Sequence, residues 1–252
     1  MQPKPASNPQ DIAAVNHIVY MIQENRSFDH YFGQLNAYRQ RQGLNPDVDV
    51  TPPNASQLSF DGSTSFTPFQ MHSKCVEDLS SYWNESHDAW NHAAPTSGTP
   101  MMDGFAYSAG NFSRNSVPPG HDINGQRVMG YYDDTDLPYY YFMATQFAMS
   151  DRWFSPAMTN TPANRMYAVA ATSHGFINKQ TTPVNISTIF DELQQANVTW
   201  MVYVPDFPNG TSVKGFPAYA KYLNTKIVPF NQYFTGSKTR SSHAGIGTGS
   251  MR

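Results

Sequence analysis

The sequence predicts an α/β fold with a mostly parallel sheet, and three observations carry that prediction. The run from His17 to Gly33 reads as a strand that stops at an acid–amide pair and passes into a helix. Strand-like and helix-like runs alternate again between Asp151 and Val204. A chain of 252 residues with 39% hydrophobic content can bury the core of one large domain or two small ones.

The elements follow in order. Five of the seven residues from His17 to Gln23 are apolar, as in a central strand covered on both faces. Glu24 and Asn25 end it, and Gly33 is placed to stop the helix that follows. Residues 34–75 lack periodicity and are rich in Pro, Ser, Asn and Gln, which predicts a long excursion over the site. Residues 76–92 are predicted helical, with Leu79, Trp83 and Trp90 on one face, and 93–130 return to loop. The next helix is expected from Asp136 as N-cap through Pro138 to Met149, then a short strand at Asp151–Ser155. Thr161 and Pro162 open a further helix that Gly175 ends. A last helix at Ser187–Asn197 leads into a strand at Trp200–Val204. Residues 1–11 read as a linker, 12–235 as one α/β domain with a cap insertion at about 34–130, and 236–252 as a disordered tail.

Composition excludes some functions. Net charge is −3 and no basic block or stripe occurs, so nucleic acid is not an expected partner. Charged residues make up 14% of the chain, below the usual quarter, as is common in exported proteins. No run reaches the roughly 18 apolar residues of a membrane span. Residues 1–10 have no apolar signal region and resemble a linker behind a removed signal, so a secreted or periplasmic location is expected. Cys75 is the single cysteine and reads as a buried free thiol.

Two places carry chemistry. A carboxylate and an amide oxygen at the carboxyl end of a strand, as at Glu24–Asn25, can hold a hard divalent cation where open α/β sheets bind ligands. The second is Thr159-Asn160-Thr161-Pro162-Ala163-Asn164-Arg165. A hydroxyl at a helix N-terminus faces free N–H groups and the positive dipole end, which suits phosphate and a partly ionised nucleophile. Asn164 and Arg165 would add donors to phosphate oxygens.

The strings ENRSFDHYFG at 24–33, YYDDTDLPYYYFMATQFAMSDRWFSP at 131–156 and TNTPANRMYAVAATSHG at 159–175 resemble the bacterial phosphoesterase family. That family holds non-specific phospholipases C and a group of acid phosphatases, and the resemblance runs over about residues 12–235. It implies a three-layer α/β/α fold like that of alkaline phosphatase. It implies metal-assisted hydrolysis of a phosphate ester or phospholipid through a covalent phospho-enzyme. On the matching positions Glu24, Asn25 and Thr161 would bind the divalent metal ion, and Thr161 would be the nucleophile, ahead of Thr159. This chain has Thr-Pro-Ala-Asn-Arg where the family has Thr-x-Pro-Asn-Arg, with the Thr-to-Asn spacing unchanged. Asn164 and Arg165 complete the string. Ser81 stands where the family has a histidine, and His87, six residues on, is the candidate acid or phosphate contact.

The family pattern also has an Asp-Asp metal pair and histidines in its C-terminal half. After Val204 this chain offers only Asp206 and His243, so it reads as the N-terminal part of such an enzyme, its sheet incomplete at the C-terminus. Asp133–Asp134 reads as a loop and helix start, and His174 as a partner for a helix C-terminus. An alternative is a weakly active or inactive relative that binds phosphate, sugar or choline, with Trp83, Trp90, Tyr131, Tyr132 and Tyr139–Tyr141 as stacking platforms. A sulfatase-like or phosphoglycerate-mutase-like relative is a third, opposed by the Glu-Asn-Arg-Ser-Phe-Asp string.

Overall fold

Residues 15–22, 25–178, 184–205 and 221–234 are described by a computed structural model of the chain. The expected linker at 1–11, Glu24, Asp206, His243 and the expected tail lie outside them.

Helix α1 (Phe28–Phe32) starts where Ser27 accepts a hydrogen bond from the His30 N–H at 3.3 Å, and Asp29 favours its positive end. Gly33 does end it, but in a right-handed conformation and not as a left-handed stop. Helix α2 (Leu35–Arg41) follows at once. Strands β1 (Gln57–Leu58) and β2 (Ser65–Phe66) pair antiparallel across a turn in which Asp61 accepts from the Ser59 and Ser63 hydroxyls, which hold its pKa down to about 2. Strand β3 (Phe69–Gln70) pairs parallel with β4 (Gly130–Tyr131), and β5 (Val202–Val204) pairs parallel with β6 (Ile227–Pro229). Between them come helices α3 (Trp83–Asn91), α4 (Phe105–Asn115), α5 (Pro138–Gln146), α6 (Thr161–Ala170) and α7 (Ile189–Gln195). The described residues form a mixed α/β fold in which each sheet has two strands and parallel pairing prevails.

Two expected strands do not form. Residues 17–22 belong to no strand, and Ile18 is 87% exposed. A central strand needs neighbours on both edges, and no described segment supplies one. At 151–155 there is again no strand. Asp151 instead accepts the Asp49 N–H at 2.7 Å, and Arg152 pairs with the Asp49 carboxylate at 2.9 Å, leaving Trp153 and Phe154 exposed. Tyr20, Met21, Ile22 and Trp153 line an open cleft of about 300 Å³. Cys75 is exposed, not buried.

One core joins α1, α2 and α5. Leu35, Val48 and Tyr141 are buried, with Phe28, Phe32, Tyr38, Leu137 and Met149 around them. The Tyr141 hydroxyl donates to Tyr132 O at 3.1 Å, and burial raises its pKa. Helix α5 starts after Leu137, not at Asp136. The Asp136 carboxylate instead accepts from Gln70 at 3.0 Å and from Asp133 N–H at 3.3 Å, which ties the start of α5 to β3.

The region expected as loop at 93–130 contains α4. Its buried face is Ala106, Ser108, Ala109, Gly110 and Ser113, small residues that let α3 and the 3₁₀ turn at Gln126–Met129 pack closely. Gly125 precedes that turn with φ +80°, and a side chain there would strike the backbone of Ala106. Arg127 is the buried centre. It donates to Asp78 O and Ala109 O at 2.9 Å and to Asp122 Oδ2 at 3.1 Å. Glu77 lies 3.9 Å from the same guanidinium and accepts from the His121 and Asp122 N–H groups and the Ser113 hydroxyl, which hold its carboxyl below the usual range.

At the other end, α7 opens with a capping box. Thr188 N–H and its hydroxyl both donate to Asp191 Oδ2 at 2.9 Å. Tyr222 O–H donates to Asp191 Oδ1 at 2.5 Å, and Lys221 pairs with the same oxygen. Burial opposes the charge on Asp191, but these partners outweigh it and hold the carboxyl well below its usual pKa. A depressed folded pKa stabilises above the unfolded value and ceases to do so as pH falls. The unfolding midpoint should therefore fall as pH drops below about 4, the ordinary range of an aspartate. Asp191→Asn should flatten that fall; equal pH profiles would refute the role.

Candidate active site

Helix α6 positions the candidate nucleophile. Thr161 is its first helical residue and Pro162 its second, so the N-cap is Asn160 and not Thr161. Both Asn and Thr cap well, and proline is tolerated in the first turn, so the shift is by one residue. The Thr161 and Ala163 N–H groups fall among those without an intrahelical acceptor. No acidic residue sits in the first turn, so the positive helix end is not offset there. Helix α6 ends at a left-handed Ala171 (φ +57°), four residues before Gly175, and His174 is exposed beyond it.

The loop before Thr161 is held from both sides. The Asn164 carboxamide accepts the Ala157 N–H at 3.1 Å and donates to Ala157 O at 3.0 Å, Thr159 O at 2.8 Å and Asn160 O at 3.3 Å. Its amide hydrogens are thus engaged with backbone carbonyls rather than turned to a ligand. The Thr159 hydroxyl is buried and donates to Ile177 O, while Asn160 donates to Asn178 Oδ1 at 3.3 Å. Asn164→Ala would strand the Ala157 N–H and the Thr159 carbonyl, while Ala157 O keeps the Thr159 N–H and Asn160 O keeps the Asn164 N–H. A net loss of about 2–3 kcal/mol is expected, with faster amide exchange at Ala157 and Thr159; unchanged exchange would show that the loop does not depend on Asn164.

The other candidates lie apart. Asn25 is exposed in a left-handed conformation (φ +66°), and Glu24 is outside the described residues. His87 sits on α3, where its Nδ1 donates to Trp83 O at 2.7 Å and its ring packs on Trp83, leaving Nε2 as the nitrogen that could meet a ligand. Arg165 is the fifth residue of α6, at the start of its second turn, and is half-buried. Among the described residues no hydrogen bond or ion pair joins Asn25, His87 and Thr161, and no three His, Cys, Asp or Glu gather as a metal site. The donors at Asn25 and Thr161 are hard oxygens, right in kind for Mg²⁺, Ca²⁺ or Mn²⁺ but too few to hold one alone.

Sequence reasoning passed over three groups. Asn160 is 7% exposed and its Oδ1 has no partner, Asn178 holds it, and His30 keeps a buried Nε2 while its Nδ1 donates to Gly130 O at 2.8 Å. Burial lowers the pKa of His30. Only Asn160 left a signal, as a capping residue type one place before Thr-Pro. Of the aromatic residues considered as binding platforms, Tyr132 and Tyr141 belong to the core, whereas Tyr139 is exposed.

Comparison with known proteins agrees with the strings. Phospholipase C A of Mycobacterium tuberculosis is 30% identical over 217 residues, covering 77% of this chain. Non-specific phospholipase C1 of Arabidopsis thaliana is 30% identical over 204 residues and also covers 77%. Non-hemolytic phospholipase C of Burkholderia pseudomallei is 26% identical over 244 residues and covers 88%. The chain spans 38%, 35% and 31% of the lengths of these three relatives. The Phosphoesterase family matches residues 15–245, and the chain belongs to that family.

Proposed function

We propose that this chain takes part in hydrolysis of phosphoric esters, with Thr161 as nucleophile and a phospho-threonine as intermediate. The observation that carries the reading is a threonine at the first position of α6, in a chain that belongs to the Phosphoesterase family. The relatives named phospholipase C favour a phospholipid or other phosphodiester substrate over a simple monoester. The three-layer α/β/α architecture and a secreted or periplasmic location belong to the same proposal.

The chemistry is one of charge and position. The Thr161 hydroxyl releases its proton to solvent as its oxygen bonds to phosphorus and the bond to the leaving oxygen breaks, and the leaving oxygen takes up a proton. Water then attacks phosphorus, the bond to Thr161 breaks and the hydroxyl is restored. The α6 N–H groups and Arg165 stabilise the negative oxygens of the transferring group. Asn164 keeps the preceding loop in place, and His87 Nε2 is the candidate proton donor to the leaving oxygen. A divalent cation held by Glu24, Asn25 and Thr161 would lower the hydroxyl pKa and neutralise phosphoryl charge when bound.

The test is an assay on a chromogenic phosphate monoester and on a phosphocholine diester, with and without chelator. Turnover that chelator removes and divalent metal restores is the expected result, with the diester preferred. Binding of phosphocholine without turnover on either substrate, in folded protein, would replace catalysis by the binding reading.

A further inference from the structure

Residues 17–22 combine apolar side chains without cover and backbone groups without protein partners. Ile18 and Val19 are 87% and 81% exposed, and Tyr20 and Met21 are exposed after them. Alternate residues of a strand face opposite sides, so a strand formed here would have both faces bare. No backbone hydrogen bond joins 17–22 to another described residue. The apolar surface continues through the cleft lined by Tyr20, Met21, Ile22 and Trp153 to the exposed Phe154. Contiguous apolar surface of this kind marks a docking site.

The backbone decides what docks there. An acyl chain would cover the side chains but offer no donor or acceptor to N–H and C=O groups cut off from water. A polypeptide strand supplies both, as in β-strand addition. The run is apolar at successive positions, which suits a strand with a neighbour at each edge and cover on each face. The relatives carry polypeptide that could fill this role. The chain spans 38% of Phospholipase C A and 35% of non-specific phospholipase C1, so most of each relative lies outside the match.

We propose that residues 17–22 are a receiving strand, and that the occupant is phosphoesterase polypeptide of the kind the relatives carry beyond their matched part. It pairs along 17–22 and covers the cleft at Tyr20, Met21, Ile22 and Trp153, whichever chain brings it. This rests on family membership and on the exposed run, independently of the reading of Thr161.

The experiment mixes the full chain with the separately produced part of Phospholipase C A that follows its match, and with that of non-specific phospholipase C1. Binding is read by calorimetry and by amide hydrogen exchange at 18–22. Saturable binding to at least one of them is expected, with exchange slowed about tenfold or more. In a strand paired at both edges every N–H is used, so Val19→Pro, which stays apolar, should weaken binding about tenfold or more. Val19→Asp and Tyr20→Asp place a charge on one face each, and both should weaken binding by a similar factor. These positions are exposed, so the fold should hold, and cooperative thermal unfolding checks that it does. Binding to neither polypeptide overturns the proposal. Binding that Val19→Pro leaves unchanged overturns it too, since strand pairing would not hold the occupant. Binding that either aspartate leaves unchanged does the same, since one face would then stay open. If phosphatidylcholine vesicles or a second copy of the chain protect amides 18–22 and neither polypeptide does, the surface serves a membrane or a dimer and the proposal falls.

Discussion

Thr161→Ala should lower kcat for phosphate ester hydrolysis by at least about 10⁴-fold, because removal of a covalent nucleophile leaves only binding and electrostatic help behind. The substitution is mild for the fold. Thr161 is half-buried at the first position of α6, Asn160 remains the N-cap, and alanine is a better helix former than threonine. Phosphate affinity should therefore survive while turnover is lost. Thr161→Ser should keep measurable turnover, since the hydroxyl and its place are preserved. Thr159 is the internal control. Its hydroxyl is buried and committed to Ile177 O, so Thr159→Val should change stability more than kcat. Stopped-flow or steady-state kinetics on the chromogenic ester decides it: full activity in Thr161→Ala, or a matching loss in Thr159→Val, refutes the assignment.

Arg127→Leu should cost about 3 kcal/mol or more and lower the melting temperature by roughly 6–12 °C in a domain of this size. The guanidinium is buried, with its side chain 4% exposed, and joins the carbonyls of Asp78 and Ala109 to the carboxylates of Asp122 and Glu77. Leucine fills much of the volume but leaves the Asp78 carbonyl without this donor and two carboxylates facing each other without a cation. Removing one partner of such a group costs more than removing all of it. Arg127→Lys should recover only part of the loss, since an ammonium cannot span acceptors on α4, at Asp122 and at Asp78 together. Calorimetric unfolding is the measurement, and a change under about 1 kcal/mol would show that the cluster adds little.

What the sequence disclosed follows from how local each signal is. Helices α1, α6 and α7 announce themselves through caps next to them in the chain: Ser27, the Asn-Thr-Pro run, and Thr188 with Asp191 three residues on. Strand β5 showed as a β-branched and aromatic run. Helix α4 stayed hidden because glycines at 104 and 110 look like loop residues until the partner that needs their lack of side chain is known. The run at 17–22 has the composition of a central strand, but a strand exists only by pairing, and composition does not name the partner. Thr161 could be read from one string of residues. The Asn164 brace and the Asn160–Asn178 pair could not, since they depend on which backbone atoms a short side chain reaches.

The pairing of β3 with β4 sets a limit on how this family can vary. Phe69 lies beside Gly130 and Gln70 beside Tyr131, and the next residue, Met71, donates its N–H to Tyr131 O at 2.8 Å. The whole stretch from Met71 to Met129 therefore departs from and returns to one spot, and Glu77 and Arg127 tie it a few residues inside each end. Its exposed turns can be lengthened at a loop-closure cost that grows only slowly with length. The two ends of the stretch are thus pinned by β3, β4 and the Glu77–Arg127 pair, and the turns between them are where chain length can change at least cost to the fold.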